Sequence, residues 1–160
     1  RAVIGDRGCM AYSGTLVVQG DTLGRMTGSE GQFMLAAIDD DGPSAREIAI
    51  DYTKSPPVTW PVAMITTPGD VSLATTNPVP RKIAPGKAGV PLRAVAFSPS
   101  GVSAADYRID GGTWRSMSGP GPVWETTFTA PSAVNSHIIE VRATSGEGTV
   151  SHTVKVHVAP

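Results

Sequence analysis

The residues of this sequence best suited to proton transfer or metal binding are its three histidines, His137, His152 and His157. A neutral imidazole ligates zinc, and the ring titrates near neutral pH. Spacing argues against a shared site. His152 and His157 stand five residues apart on one expected strand, and an odd interval sends two side chains to opposite faces. A metal held by His152 with His137 from a neighbouring strand is the sharper alternative, but no acidic pair stands near to complete it. His152 falls in phase with Val150, Val154 and Val156, which reads as a histidine at the edge of a core, satisfied by a neighbouring backbone group.

The run Asp39-Asp40-Asp41-Gly42 could gather carboxylates around a hard cation. It lacks the alternating spacing and the closing glutamate of a calcium loop, so it reads as a turn kept soluble by charge. Asp106 and Asp110 flank Arg108 on one expected strand face, where cross-strand pairing explains them better than acid–base work. Trp60, Trp114 and Trp124 could form a sugar-stacking platform if they faced solvent together. Trp124 is in phase with Phe128 and is expected in the core, while Trp114 is expected to cover an edge. The patterns G-x-S-x-G, G-x-x-x-x-G-K-[ST], H-E-x-x-H and G-x-G-x-x-G are all absent. No catalytic, cofactor-binding or metal residue is assigned, and the chain is not expected to be an enzyme.

Strands must position whatever chemistry there is. Ala105, Tyr107 and Ile109 alternate with Asp106, Arg108 and Asp110, and Gly111-Gly112 follow as a hairpin turn before Trp114. Further strands are expected over 90–97, 123–129, 138–144 and 150–158, each with its apolar residues two apart. Ser98-Pro-Ser-Gly101, Ser118-Gly-Pro-Gly-Pro122, Ala130-Pro131 and Ser145-Gly-Glu-Gly148 separate them. Such a series predicts an all-β, immunoglobulin-like antiparallel β-sandwich.

The first block, residues 1–56, carries Thr15–Gln19, Gln32–Ile38 and Arg46–Tyr52 as strands. Gln32–Ile38 is apolar on both faces and is expected to be buried on both. Three such strands do not close a domain. Either they pack on the sandwich or they pack on residues that precede Arg1, and in that case Phe33, Leu35 and Ile38 are left bare. Residues 57–61, with two prolines, read as a linker, and 62–160 as the sandwich, with a long loop at 67–89.

A net charge of −1, with no basic run, gives nucleic-acid binding no electrostatic support. No apolar run is long enough for a membrane span. The single cysteine, Cys9, excludes an internal disulfide framework and a cysteine-rich zinc site. The start on Arg1 reads as a processed product or a fragment, so compartment is left open.

Two passages resemble a known family: Trp60-Pro-Val-Ala-Met-Ile-Thr-Thr-Pro68, and Ala105-Asp-Tyr-Arg-Ile-Asp-Gly-Gly-Thr-Trp114 continuing through Val123-Trp-Glu125. They look like the carboxyl-terminal part of bacterial calcineurin-like metallophosphoesterases, in which an immunoglobulin- or fibronectin type III-like sandwich follows the catalytic domain. Gly14 to Tyr52 is similar to the last strands of that catalytic domain. The family holds two divalent metal ions with D-x-H, G-D, G-N-H and G-H-x-H motifs. No histidine precedes His137, and Gly5-Asp6 and Gly20-Asp21 match G-D as letters only, so no catalytic residue carries over. The resemblance implies a non-catalytic accessory region without a cofactor of its own. Its partner would be the missing N-terminal catalytic domain or a second copy of the chain. A free-standing adhesion or carbohydrate-binding module is the alternative.

Overall fold

In the computed structural model, which describes residues 9–12, 15–18, 30–72 and 82–160, every regular element is a strand. Strand β1 (Cys9–Tyr12) pairs with β2 (Thr15–Val18), and β3 (Glu30–Asp39) pairs with β4 (Gly42–Asp51), both antiparallel. The other strands are β5 (Val62–Thr67), β6 (Val90–Phe97), β7 (Val102–Ile109) and β8 (Arg115–Ser116), then β9 (Val123–Phe128), β10 (Ser136–Ser145) and β11 (Gly148–His157). They form two sheets, in the orders β5-β6-β9 and β11-β10-β7-β8. The chain crosses between these sheets after β6, after β8 and again after β9.

The predicted alternation is what faces the two sheets together. Leu92, Ala94 and Ala96 on β6 meet Ala105 and Tyr107 on β7, with Ile139, Val141 and Ala143 on β10 and Val154 and Val156 on β11. Trp124 and Phe128 from β9 complete one buried cluster. Each Val, Leu, Ile or Phe side chain fully buried here contributes about 1.5–3 kcal/mol, and each alanine less. The all-β sandwich expected from the sequence is the fold.

The β7–β8 turn is displaced from the two glycines. Asp110 (φ 49°) and Gly111 (φ 71°) are its central residues, and the Gly112 N–H donates to the Ile109 carbonyl at 2.9 Å. Positive φ at both central positions is the type I′ geometry that matches strand twist. The turn therefore sits one residue earlier than Gly111-Gly112.

One other expectation is corrected. Strand β3 is not buried on both faces: Ile38 is 90% exposed and Ala36 is also exposed, while Phe33 and Leu35 are half-buried. Among the described residues β3 has β4 as its one sheet partner, and apolar content on both faces does not by itself bury both. The described residues of 67–89, the expected long loop, are tied to the end of the chain by backbone bonds. The Val71 N–H donates to the Lys155 carbonyl, and Ile83 bridges Val158 in parallel. Residues 73–81 of that stretch lie outside the described residues, as do 1–8, 13–14 and 19–29 of the first block, among them Gln19 at the end of an expected strand.

Candidate functional site

Strand β5 is buried at all six positions. Ala63 and Ile65 enter the sandwich core, so Val62, Met64 and Thr66 point to the opposite side, toward the β3–β4 hairpin. Register slips between Ile65 and Thr67, leaving Thr66 as a bulge whose polar groups the ladder does not use. The hairpin takes them. Ser44 Oγ donates to the Thr66 carbonyl at 3.2 Å, and Thr66 Oγ1 donates to Asp39 at 2.7 Å.

The free edge of β5 is closed by side chains instead of by a strand. An unpaired edge presents N–H and C=O groups that must find partners. Arg46 on β4 donates to the Ala63 carbonyl and, at 3.3 Å, to the Ser151 carbonyl of β11. His152 Nδ1 accepts the Ile65 N–H at 3.1 Å. That bond fixes the tautomer, with the proton on Nε2. Burial, then the nearby Arg46 charge, pushes the His152 imidazole down to about 4, against the pull of Asp70. Burial also lowers the Arg46 guanidinium.

A cavity of about 200 Å³ opens beside this joint, lined by β4, Ile65, Asp70, His152 and Val154. Asp70 Oδ1 accepts from the Ser72 N–H and hydroxyl and from the Lys155 N–H. Glu47, also on the lining, has its Oε1 closed to solvent with no hydrogen-bond partner.

The other histidine of interest is fully committed. His137 Nδ1 donates to Asp110 at 2.6 Å and Nε2 donates to the Ala133 carbonyl at 2.9 Å, which requires the imidazolium. Burial opposes that charge, but the Ala133 carbonyl and the Asp110 carboxylate outweigh it and raise the pKa. With both ring nitrogens spent, His137 offers neither a base nor a ligand. Register puts His137 opposite Val156 and His152 opposite Val141, four positions apart along the β10–β11 pair. The described residues hold no group of three His, Cys, Asp or Glu placed for a metal ion.

Asp106 and Arg108 pair across strands, Asp106 with Arg142 at 3.0 Å and Arg108 with Glu140 at 2.6 Å. Trp114 lies over both arginines, 4.4 Å from Arg108 and 4.2 Å from Arg142, on the outer face of the four-stranded sheet. Trp124 is in the core, so the three tryptophans do not face solvent together. Asp39 is more than a turn residue: Arg93 and Thr66 both bind it. Sequence reasoning passed over Arg46, Glu47 and Asp70. A signal for Arg46 existed, because it is in phase with Ile48 and Ile50, and a charge in an apolar phase needs buried partners.

No protein-family model and no curated protein matches the chain. Among solved structures it is similar to an engineered protein, at 20% identity and a TM-score of 0.45, over 63% of this chain and 20% of that one. It is also similar to the endo-beta-1,4-mannanase from Thermotoga petrophila, at 16% identity and a TM-score of 0.40, over 50% of this chain and 18% of that one. The chain thus spans about a fifth of the length of each.

Proposed function

We propose that this chain is a non-catalytic accessory region in which an immunoglobulin- or fibronectin type III-like sandwich holds and positions the strands that precede it. The observation that carries this reading is the joint at β5. An outer sheet face and a free strand edge are given over to gripping one hairpin through Asp39, Ser44 and Arg46. Such a grip fixes the orientation of whatever the hairpin belongs to. In this reading the hairpin belongs to the catalytic domain of a calcineurin-like metallophosphoesterase, whose two metal ions are held by residues outside this chain. Support for the identity of that domain comes from the sequence resemblance alone. Sequencing the gene upstream of the Arg1 codon tests it. G-N-H and G-H-x-H at the family's spacing are expected, and an upstream sequence without them overturns the phosphoesterase parentage.

A second reading, a carbohydrate- or adhesion-type binding module, is favoured by one observation. Trp114 sits on an outer sheet face and not in the core. Glycan binding lost in a folded Trp114→Ala chain would support it, and no binding to any glycan would remove it.

A further inference from the structure

Residues 132–134, between β9 and β10, are all exposed to solvent. Backbone bonds fix the chain on either side of them: the Gly86 N–H donates to the Pro131 carbonyl at 3.2 Å, and the Val158 N–H to the Asn135 carbonyl at 2.9 Å. Among the described residues, the one hydrogen bond made by 132–134 is that from His137 Nε2 to the Ala133 carbonyl. We propose that His137 is a proton-operated latch. Carrying a proton on each ring nitrogen, it holds this loop against the β7–β8 turn, and on losing one it lets residues 132–134 go.

The geometry dictates which contact gives way. Both ring nitrogens face acceptors, Asp110 Oδ2 at 2.6 Å and the Ala133 carbonyl at 2.9 Å, and a neutral imidazole has one proton for the two. That proton stays on Nδ1, because a bond to a carboxylate is stronger than one to a neutral carbonyl. Asp110 is also the fixed partner: its Oδ1 accepts the Ile138 N–H and its own N–H donates to the Ile138 carbonyl, both at 2.9 Å. The Nε2 lone pair then faces the Ala133 oxygen, and residues 132–134 have no buried side chain to keep them there. Among the described residues Asp110 is the one charged group bonded to the ring. On β11, Lys155 and His157 flank Val156, the residue opposite His137, and so point to the outer face. Glu140 of β10 pairs with Arg108 on that same face. Lys82 and Lys87, on the segment bonded to both the loop and the end of β11, are exposed. The latch is closed below the folded pKa of the imidazole, which lies above its ordinary value of 6.5, and opens as pH rises through it. The inference does not depend on the accessory role proposed above.

The whole chain, ¹³C-labelled, is followed by NMR from about pH 5 to about pH 9, across the histidine range. Carbon-bound protons report the loop without loss to solvent exchange. Through-space contacts between the His137 ring protons and the Cα protons of Ala133 and Val134 are expected at the acid end and are lost at the alkaline end. There, ¹³Cα relaxation at 132–134 is expected to show nanosecond mobility, while 139, 141 and 143 of β10 stay rigid throughout. Loop and ring are expected to share one midpoint. Asp110→Asn, at a positive-φ position that asparagine also accepts, is expected to lower both midpoints together by at least about one pH unit. A loop that stays equally ordered through the ring's titration overturns the proposal, and so does a loop midpoint that differs from the ring's in either chain.

Discussion

Asp39, where the β3–β4 hairpin turns, accepts a hydrogen bond from Arg93 in the middle of β6, 54 residues away. The same guanidinium reaches Glu125 on β9 through Nε at 2.6 Å. One arginine thus ties the hairpin to two strands of the sheet beneath it. Burial pushes the Asp39 carboxyl up, but the Thr66 hydroxyl, the Asp40 N–H and the Arg93 charge outweigh it and hold it below its ordinary value.

A double-mutant cycle measures that tie. The Asp39 side chain is 10% exposed and that of Arg93 36%, between a surface pair and a buried one. Asp39→Asn and Arg93→Gln are expected to couple by about 1 kcal/mol in urea unfolding at neutral pH. Additive losses would show that the contact does not hold the hairpin.

His152 makes stability depend on acid. Its folded pKa, about 4, lies below the unfolded value near 6.5, so the unfolded chain binds the extra proton between those limits. Stability from this group is complete above about pH 6.5 and is lost as pH falls toward 4, by up to roughly 3 kcal/mol. An asparagine oxygen can accept the Ile65 N–H without titrating. His152→Asn is therefore expected to flatten this part of the unfolding free energy against pH, and an unaltered pH curve would contradict it.

His137 acts with the opposite sign. Its pKa is raised, so its contribution is fully present below the unfolded pKa and is lost as pH rises through the folded one. Asp110→Asn removes the carboxylate partner and should lower the imidazole titration midpoint, read from ring proton shifts. No change in that midpoint would mean the Asp110 contact does not stabilise the charge.

Met64 is fully buried yet lies outside the main core cluster, under the hairpin. Truncation to alanine should cost about 2–5 kcal/mol, as for a core methionine. A cost well under 1 kcal/mol would indicate that the hairpin leaves this face of β5 open.

Period-two alternation made most of the sandwich legible. Ile139, Val141 and Ala143 are each almost wholly buried, and the Asp110–Gly112 hairpin lies within one residue of its expected place. The joint was not legible, for a physical reason. Arg46 finds its carbonyl partners 17 and 105 residues away, at Ala63 and Ser151, and strand periodicity carries no information about contacts between sheets. The apolar run over β3 misled because periodicity reports which residues could be buried, and not whether a second layer exists to bury them. His152 was placed at the edge of a core with a backbone partner, and Ile65 is that partner.

The most direct test of the joint is amide hydrogen exchange in the chain with Arg46→Met. Losing the guanidinium strips the Ala63 carbonyl of its partner at the edge of β5. The structure predicts that amides of β3 and β4 and the Ile65 N–H lose protection, while those of β7 and β10 keep theirs. Protection on β3 and β4 equal to that of the unaltered chain would contradict the claim that the sandwich grips this hairpin.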